Sequence, residues 1–163
     1  MTYSVYVGTY GKYNNGSLFG KWLNLEDYAD KNEFYEACQE LHGPGEHEFM
    51  FQDFEDVPRA MISECHIADE FWDFMNCSAD DDAKKAFIDF RGEWNEGDFN
   101  EAYQGQYKSP ADWAEEFLES CGTLSEIPEN LRFYFDFEKY ARDAEYGGDI
   151  YFDDDTGHVF WRH

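Results

Sequence analysis

Tyr3-Ser-Val-Tyr-Val-Gly8, with Tyr10-Gly-Lys-Tyr-Asn-Asn-Gly16 behind it, is where the fold is decided. The first run alternates and is rich in β-formers, so it reads as a strand. Asn15-Gly16 is a hairpin signal, and Ser17 to Leu25 reads as the returning strand. Asp30 then caps a helix from Lys31 to about Leu41, with Phe34, Cys38 and Leu41 at helical spacing. Gly43-Pro44-Gly45 stops it. Glu46 to Phe54 alternates again as a third strand, with Glu46, Glu48 and Met50 on one face. Strand, turn, strand, helix and strand make residues 1–60 a small α+β unit.

Outward from there the pattern changes. Cys65 to Met75 carries Ile67, Phe71, Trp72 and Met75 as a helical stripe. Ser78-Ala-Asp-Asp81 is close to a capping box and opens a helix through Phe90, with Ala83, Phe87 and Phe90 inward. Asp80, Asp81 and Asp82 fall in its first turn, where the helix dipole favours carboxylates. A short helix follows around Asp98 to Tyr103, so residues 61–104 read as a mainly helical middle unit. From Gly105 a third unit begins. Ser109-Pro110 starts a helix with Trp113, Phe117 and Cys121 as its buried stripe. Pro128 starts another, with Leu131, Tyr134, Phe135 and Phe137 on its core side and Lys139 and Arg142 near its end. Asp149 to Asp153 and Val159 to Arg162 close residues 105–163 as a terminal hairpin around Asp155-Thr-Gly157. The fold class is therefore α+β, built as three small units.

The chain has 163 residues, with 37 acids against 12 bases, a net charge of −25. Direct binding of nucleic acid needs a basic surface and is nearly ruled out, and docking on an anionic membrane is disfavoured for the same reason. Acidic disordered chains are poor in aromatics, whereas Phe, Trp and Tyr make up 20% of this one. The object is a folded body with aromatic cores under an acidic skin. The three segments carry −7, −9 and −9, so the charge is spread along the body and does not form a tail. Met1 to Tyr10 lacks a basic and apolar leader pattern, and no apolar run reaches spanning length. Cys38, Cys65, Cys77 and Cys121 include no CxxC pair and are expected as reduced, buried thiols of a cytoplasmic protein.

No catalytic, metal or cofactor motif stands out. The five histidines lack metal-site spacing, and Cys65-His66 reads as a thiol facing a helical core. Asp153-Asp154-Asp155-Thr-Gly157 misses the ligand spacing of an EF-hand and reads as a charged turn. Gly8, Gly11, Gly16 and Gly20 suit turns better than a phosphate loop, because a phosphate would meet only Lys12 and Lys21 in a negative field. With 37 acids, close carboxylate pairs are inevitable and carry little information, although an acid-rich hydrolase remains an alternative.

The field itself is the remaining feature. Duplex DNA carries one charge per roughly 1.7 Å of axis, so 25 net charges correspond to about 42 Å, or roughly 12 base pairs. Carboxylates on such a body can stand in for phosphates before a protein with a basic DNA-binding groove. A solvated surface of halophile type is the plainer alternative.

Tyr6-Val-Gly-Thr-Tyr-Gly-Lys-Tyr-Asn-Asn-Gly-Ser-Leu-Phe-Gly-Lys-Trp-Leu23 resembles the amino-terminal signature of the ArdA antirestriction proteins. Gln52-Asp-Phe-Glu55 with Ile67-Ala-Asp-Glu-Phe-Trp72, and Ile127-Pro-Glu-Asn-Leu-Arg-Phe-Tyr-Phe-Asp-Phe-Glu-Lys-Tyr-Ala-Arg-Asp143, resemble its later parts. The resemblance runs from about Tyr3 to Trp161 and is least between Ala79 and Lys108. It implies an elongated, dimeric mimic of bent B-form DNA with three units in a row, encoded on a mobile element and not an enzyme. Its partner would be the methyltransferase core of type I restriction–modification enzymes. A mimic aimed at a nucleoid protein, a repressor or a CRISPR nuclease is the alternative.

The acids expected to stand in for phosphates are Asp80, Asp81, Asp82, Asp89, Glu93, Glu96, Asp112, Glu115, Glu116 and Glu119, several of which share a polar helix face. Tyr103 and Tyr107 flank Gly105 in a stretch with few charges and are the candidates for a homodimer contact. The alternative for this pair is packing within their own unit. No metal and no cofactor is expected.

Overall fold

The computed structural model describes residues 2–162. Among them are eight helices and two antiparallel three-stranded sheets, as the α+β reading expects. The chain clusters into two compact units: residues 2–78 with 91–96, and residues 79–90 with 97–162.

In the first unit, β1 (Ser4–Thr9) leads into α1 (Tyr10–Asn14), and β2 (Lys21–Asn24) returns beside β1. The sheet order is β2-β1-β3, with β3 spanning Phe49–Glu55. Val5 pairs with Leu23 on one side and with Phe54 on the other, and a bulge falls between Tyr6 and Val7. The returning strand is present, but the two-residue hairpin is not. Thr9 accepts a hydrogen bond from the Lys12 amide and starts a helical turn, which Gly16 ends at φ +86°. Asn15-Gly16 therefore acts as a helix stop, because a side-chain cap at Thr9 offers the backbone a helical route.

Helix α2 (Lys31–His42) starts at the predicted Asp30 cap, whose carboxylate accepts from the Glu33 amide at 2.9 Å. It buries Phe34, Cys38 and His42. Phe34 meets Phe51 at 5.8 Å and Trp72 at 6.0 Å. The helix expected from Cys65 forms only over α3 (Phe71–Asn76). Upstream of α3, Ile62 and Ile67 form an antiparallel bridge, and the Ser63 amide donates to the His66 carbonyl at 2.8 Å. The apolar stripe is shared between a tight turn and a short helix. Cys65 sits on the outside of that turn and is exposed, contrary to the core reading.

In the second unit, α4 (Asp81–Arg91) and α5 (Glu96–Ala102) precede β4 (Tyr103–Gln106). Asp80 is the residue that caps α4: its carboxylate accepts from the Asp82 amide at 2.9 Å and the Ala83 amide at 3.3 Å. Ser78 lies too far upstream for that role. Helix α6 (Pro110–Ser120) begins as the sequence predicts, with the Asp112 amide donating to Ser109 Oγ at 3.2 Å. Trp113, Ala114 and Leu118 are buried and Phe117 is half-buried. Cys121 follows the helix end and is exposed, so it leaves the expected stripe.

The helix expected from Pro128 is broken in two. One turn, α7 (Glu129–Arg132), is followed by a new start at Asp136, which caps α8 (Phe137–Tyr146). The Asp136 carboxylate accepting from the Lys139 amide at 3.0 Å explains the break. Lys139 therefore lies in the first turn of α8 instead of near a helix end. Leu131 and Tyr134 are exposed, not inward, and Phe133 is 90% exposed between them. The terminal hairpin holds: β5 (Ile150–Phe152) pairs with β6 (His158–Trp161), and β4 adds to β6 in the order β4-β6-β5. Trp113, Ala114, Ala141, Ala144, Ile150, Phe152 and Val159 form the core between α6, α8 and this sheet.

Candidate functional site

The second unit shows how the fold displays its charge. On α6 the apolar residues Trp113, Ala114 and Leu118 turn inward, and Asp112, Glu115, Glu116 and Glu119 are all exposed. Spacings of three, four and seven residues put these four on one face. They cover about 10.5 Å of helix axis, at 1.5 Å per residue. Phosphates on one strand of B-form DNA stand about 3.4 Å apart, so four of them span about 10 Å. The α6 face thus equals a single strand in linear charge density. Beside it, the Tyr107 hydroxyl donates to the Gln104 carbonyl at 3.3 Å. Partial burial, then the charge of Glu116, pushes the Tyr107 pKa up from its ordinary value.

At the start of α4 the acids have structural partners as well. Asp80 caps the helix and lies 3.8 Å from His158 Nε2, and Asp81 lies 3.2 Å from the buried Lys84 ammonium. Asp80 and Asp82 are exposed and Asp81 is half-buried; further along, Asp89 is exposed. Glu93 and Glu96 are also exposed, but they belong to the first unit with residues 91–96. Eight of the ten expected acids therefore share the second unit, and nine of the ten are exposed.

The sequence reading passed over an equivalent face in the first unit. Glu33, Glu36 and Glu40 on α2 are exposed on the side away from Phe34 and Cys38. Their spacing of three, four and seven repeats that of α6 and was the signal available. The described residues include all 37 acids, of which 34 are exposed and none is buried. Glu145 is one of the three half-buried acids. Burial first, then Asp154, pushes its carboxyl pKa up, against the opposing pull of Arg162. The first unit carries 17 acids and 5 bases, net −12, and the second 20 and 7, net −13.

Tyr103 and Tyr107 are half-buried in the second unit. Tyr103 stacks on Phe99 at 5.1 Å and its hydroxyl lies 2.9 Å from His158 Nδ1; Tyr107 packs against the Trp113 core. The Asp153 turn is a charged hairpin end in which the Thr156 hydroxyl donates to the Asp153 carboxylate. Among the described residues, no group of three or more His, Cys, Asp or Glu is placed to hold a metal ion. Among the same residues, no helix is long and apolar enough to cross a membrane.

Residues 5–159 match the antirestriction protein (ArdA) family. The chain belongs to the ArdA antirestriction family. No curated protein is similar enough to the chain to count as a match. ArdA proteins are inhibitors of type I restriction enzymes and not enzymes themselves, so the carboxylates described above belong to an inhibitor's surface.

Proposed function

We propose that this ArdA protein inhibits by occupancy. Its carboxylates take the places of phosphates in the DNA-binding groove of a type I methyltransferase core and exclude the duplex. The observation that carries the reading is the placement of the acids: 34 of 37 are exposed, and both units are strongly negative. The ten acids from Asp80 to Glu119 are the first contacts to test, with the α2 face beside them. No single one dominates, because an exposed charge pair contributes about 0–1 kcal/mol. Attraction of this type is fast, long-ranged and salt-sensitive.

The protein acts in the cytoplasm, where the enzyme meets DNA, and as a homodimer. Two chains of net −25 repel each other except where acids are sparse. Residues 102–111 contain no acid, which is why Tyr103 and Tyr107 remain the proposed contact. A Tyr107→Asp variant that sediments as a monomer supports this; one that sediments as a dimer removes it. The occupancy reading is tested by titrating the protein into a type I methyltransferase holding a fluorescent duplex, at two salt concentrations. Displacement that weakens steeply with salt is the expected result. No displacement at either salt would overturn it.

A further inference from the structure

The first unit contains a depression of about 650 Å³ whose walls are mainly aromatic. Tyr10, Tyr35, His47 and Phe49 supply rings, and Glu48 and Cys65 complete the lining. The four rings come from three segments of the chain. Phe49 lies 6.0 Å from Tyr35 and 6.3 Å from His47, ring centre to ring centre. His47 Nε2 is 3.1 Å from the Gly43 carbonyl oxygen. The Tyr10 amide donates to the Glu48 carbonyl at 3.1 Å, and the Phe51 amide donates to the Glu64 carbonyl at 2.6 Å. These two bonds hold the backbone of Glu48 and Glu64 in place, and both side chains are exposed.

The electrostatics point one way. Ring faces are negative, and Glu48 and Glu64 add formal charge. Partial burial, then Glu64, Cys65 and Glu48, push the Tyr10 phenol pKa up. Aromatic walls with carboxylates at the rim recognise a cation that carries apolar or flat surface. The same unit already shows that pairing at one wall. The Lys31 ammonium lies 5.8 Å over the Tyr35 ring and 2.8 Å from the Asp69 carboxylate. Asp69 is held below the usual carboxylate range by that lysine.

We propose that this depression receives an arginine side chain presented by the basic groove of the partner enzyme. The proposal rests on the occupancy reading given above. A guanidinium is flat, weakly hydrated and stacks on rings, so it fits aromatic walls better than a compact ammonium. DNA offers no such receptacle along its phosphates. The contact thus gives the inhibitor a hold that salt screens less than the surface carboxylates.

The test is an NMR titration of the whole protein with N-acetyl-arginine methylamide, and in parallel with its neutral citrulline counterpart. Arginine amide should shift the ring signals of Tyr10, Tyr35, His47 and Phe49 together and to saturation, with the citrulline compound about fivefold weaker or more. Glu48→Gln, at an exposed position, should weaken the arginine amide several-fold while leaving the fold unchanged; Tyr35→Leu should abolish the ring response. Equal binding of the two amides, or shifts scattered over the acidic surface, would overturn the receptacle. The same Glu48→Gln variant enters the duplex-displacement assay. Displacement by the native protein with silent rings would remove the receptacle and leave occupancy standing. A saturating ring response without displacement of the duplex would remove the enzyme groove as the source of the arginine.

Discussion

Neutralising the α6 face should separate function from stability. The perturbation is Asp112→Asn, Glu115→Gln, Glu116→Gln and Glu119→Gln together, all at exposed positions. Four pairs of like charges stand three or four residues apart: 112 with 115 and 116, and 119 with 115 and 116. Each such pair destabilises a helix by about 0.2–0.5 kcal/mol, so their removal returns about 1–2 kcal/mol at low salt. Losing Asp112 from the first turn costs about 0.3–1 kcal/mol. Ser109 remains the cap, and the Tyr107 hydroxyl keeps its bond to the Gln104 carbonyl. The net expectation is a fold more stable by about 1 kcal/mol in a urea melt.

Inhibition should move the other way. At about 0.5 kcal/mol per lost contact, the concentration for half-displacement of a duplex rises about thirtyfold. If each carboxylate replaces one phosphate, the slope of log affinity against log salt falls by about 3.6. Unchanged displacement with an unchanged slope would take α6 out of the contact. A less stable variant would refute the argument that these acids oppose the fold that carries them.

Two further outcomes follow from single side chains. Cys38 is buried, which pushes its thiol pKa up from 9.0 to about 12, whereas Cys65 and Cys121 are exposed. Alkylation of the native protein should label Cys65 and Cys121 and reach Cys38 only on unfolding; native labelling of Cys38 at the same rate contradicts its placement. Cys38 also favours folding fully below pH 9.0, and that contribution is lost as the pH climbs towards about 12. The second is His42. Its Nδ1 accepts from the Lys12 ammonium at 2.8 Å, so Nε2 carries the proton and donates to the Val7 carbonyl at 3.1 Å. Burial, then Lys12 and His47, hold its pKa below the ordinary value against the pull of Val7. The unfolded chain takes up a proton first, so this contribution is full above about pH 6.5 and is lost as the pH falls through the folded value. The pH dependence of urea stability should be flatter in His42→Gln; identical profiles would remove His42 from it.

What the sequence showed and what it hid have physical causes. Asp30 and Ser109 announced α2 and α6 because a cap is a local interaction, readable within four residues. The terminal hairpin was legible for the same reason. Strand β4 was not, since Tyr103-Gln-Gly-Gln106 has no alternation and is a strand only because β6, more than fifty residues away, pairs with it. The aromatic run after Pro128 looked like a core helix, but Asp136 restarts the helix and leaves Phe133 outside. At the site, helical spacing revealed the α6 face, and the same spacing on α2 was there to be read. The aromatic depression was beyond reach, because its rings come from segments that meet only in the folded chain.

Mutual exclusion is the central claim, and one measurement tests it directly. The affinity of the protein for a type I methyltransferase is measured against rising concentrations of specific duplex. Occupancy of a shared groove predicts an apparent dissociation constant that climbs in proportion to duplex concentration without limit. A plateau, with protein and duplex bound to the enzyme together, would contradict the account.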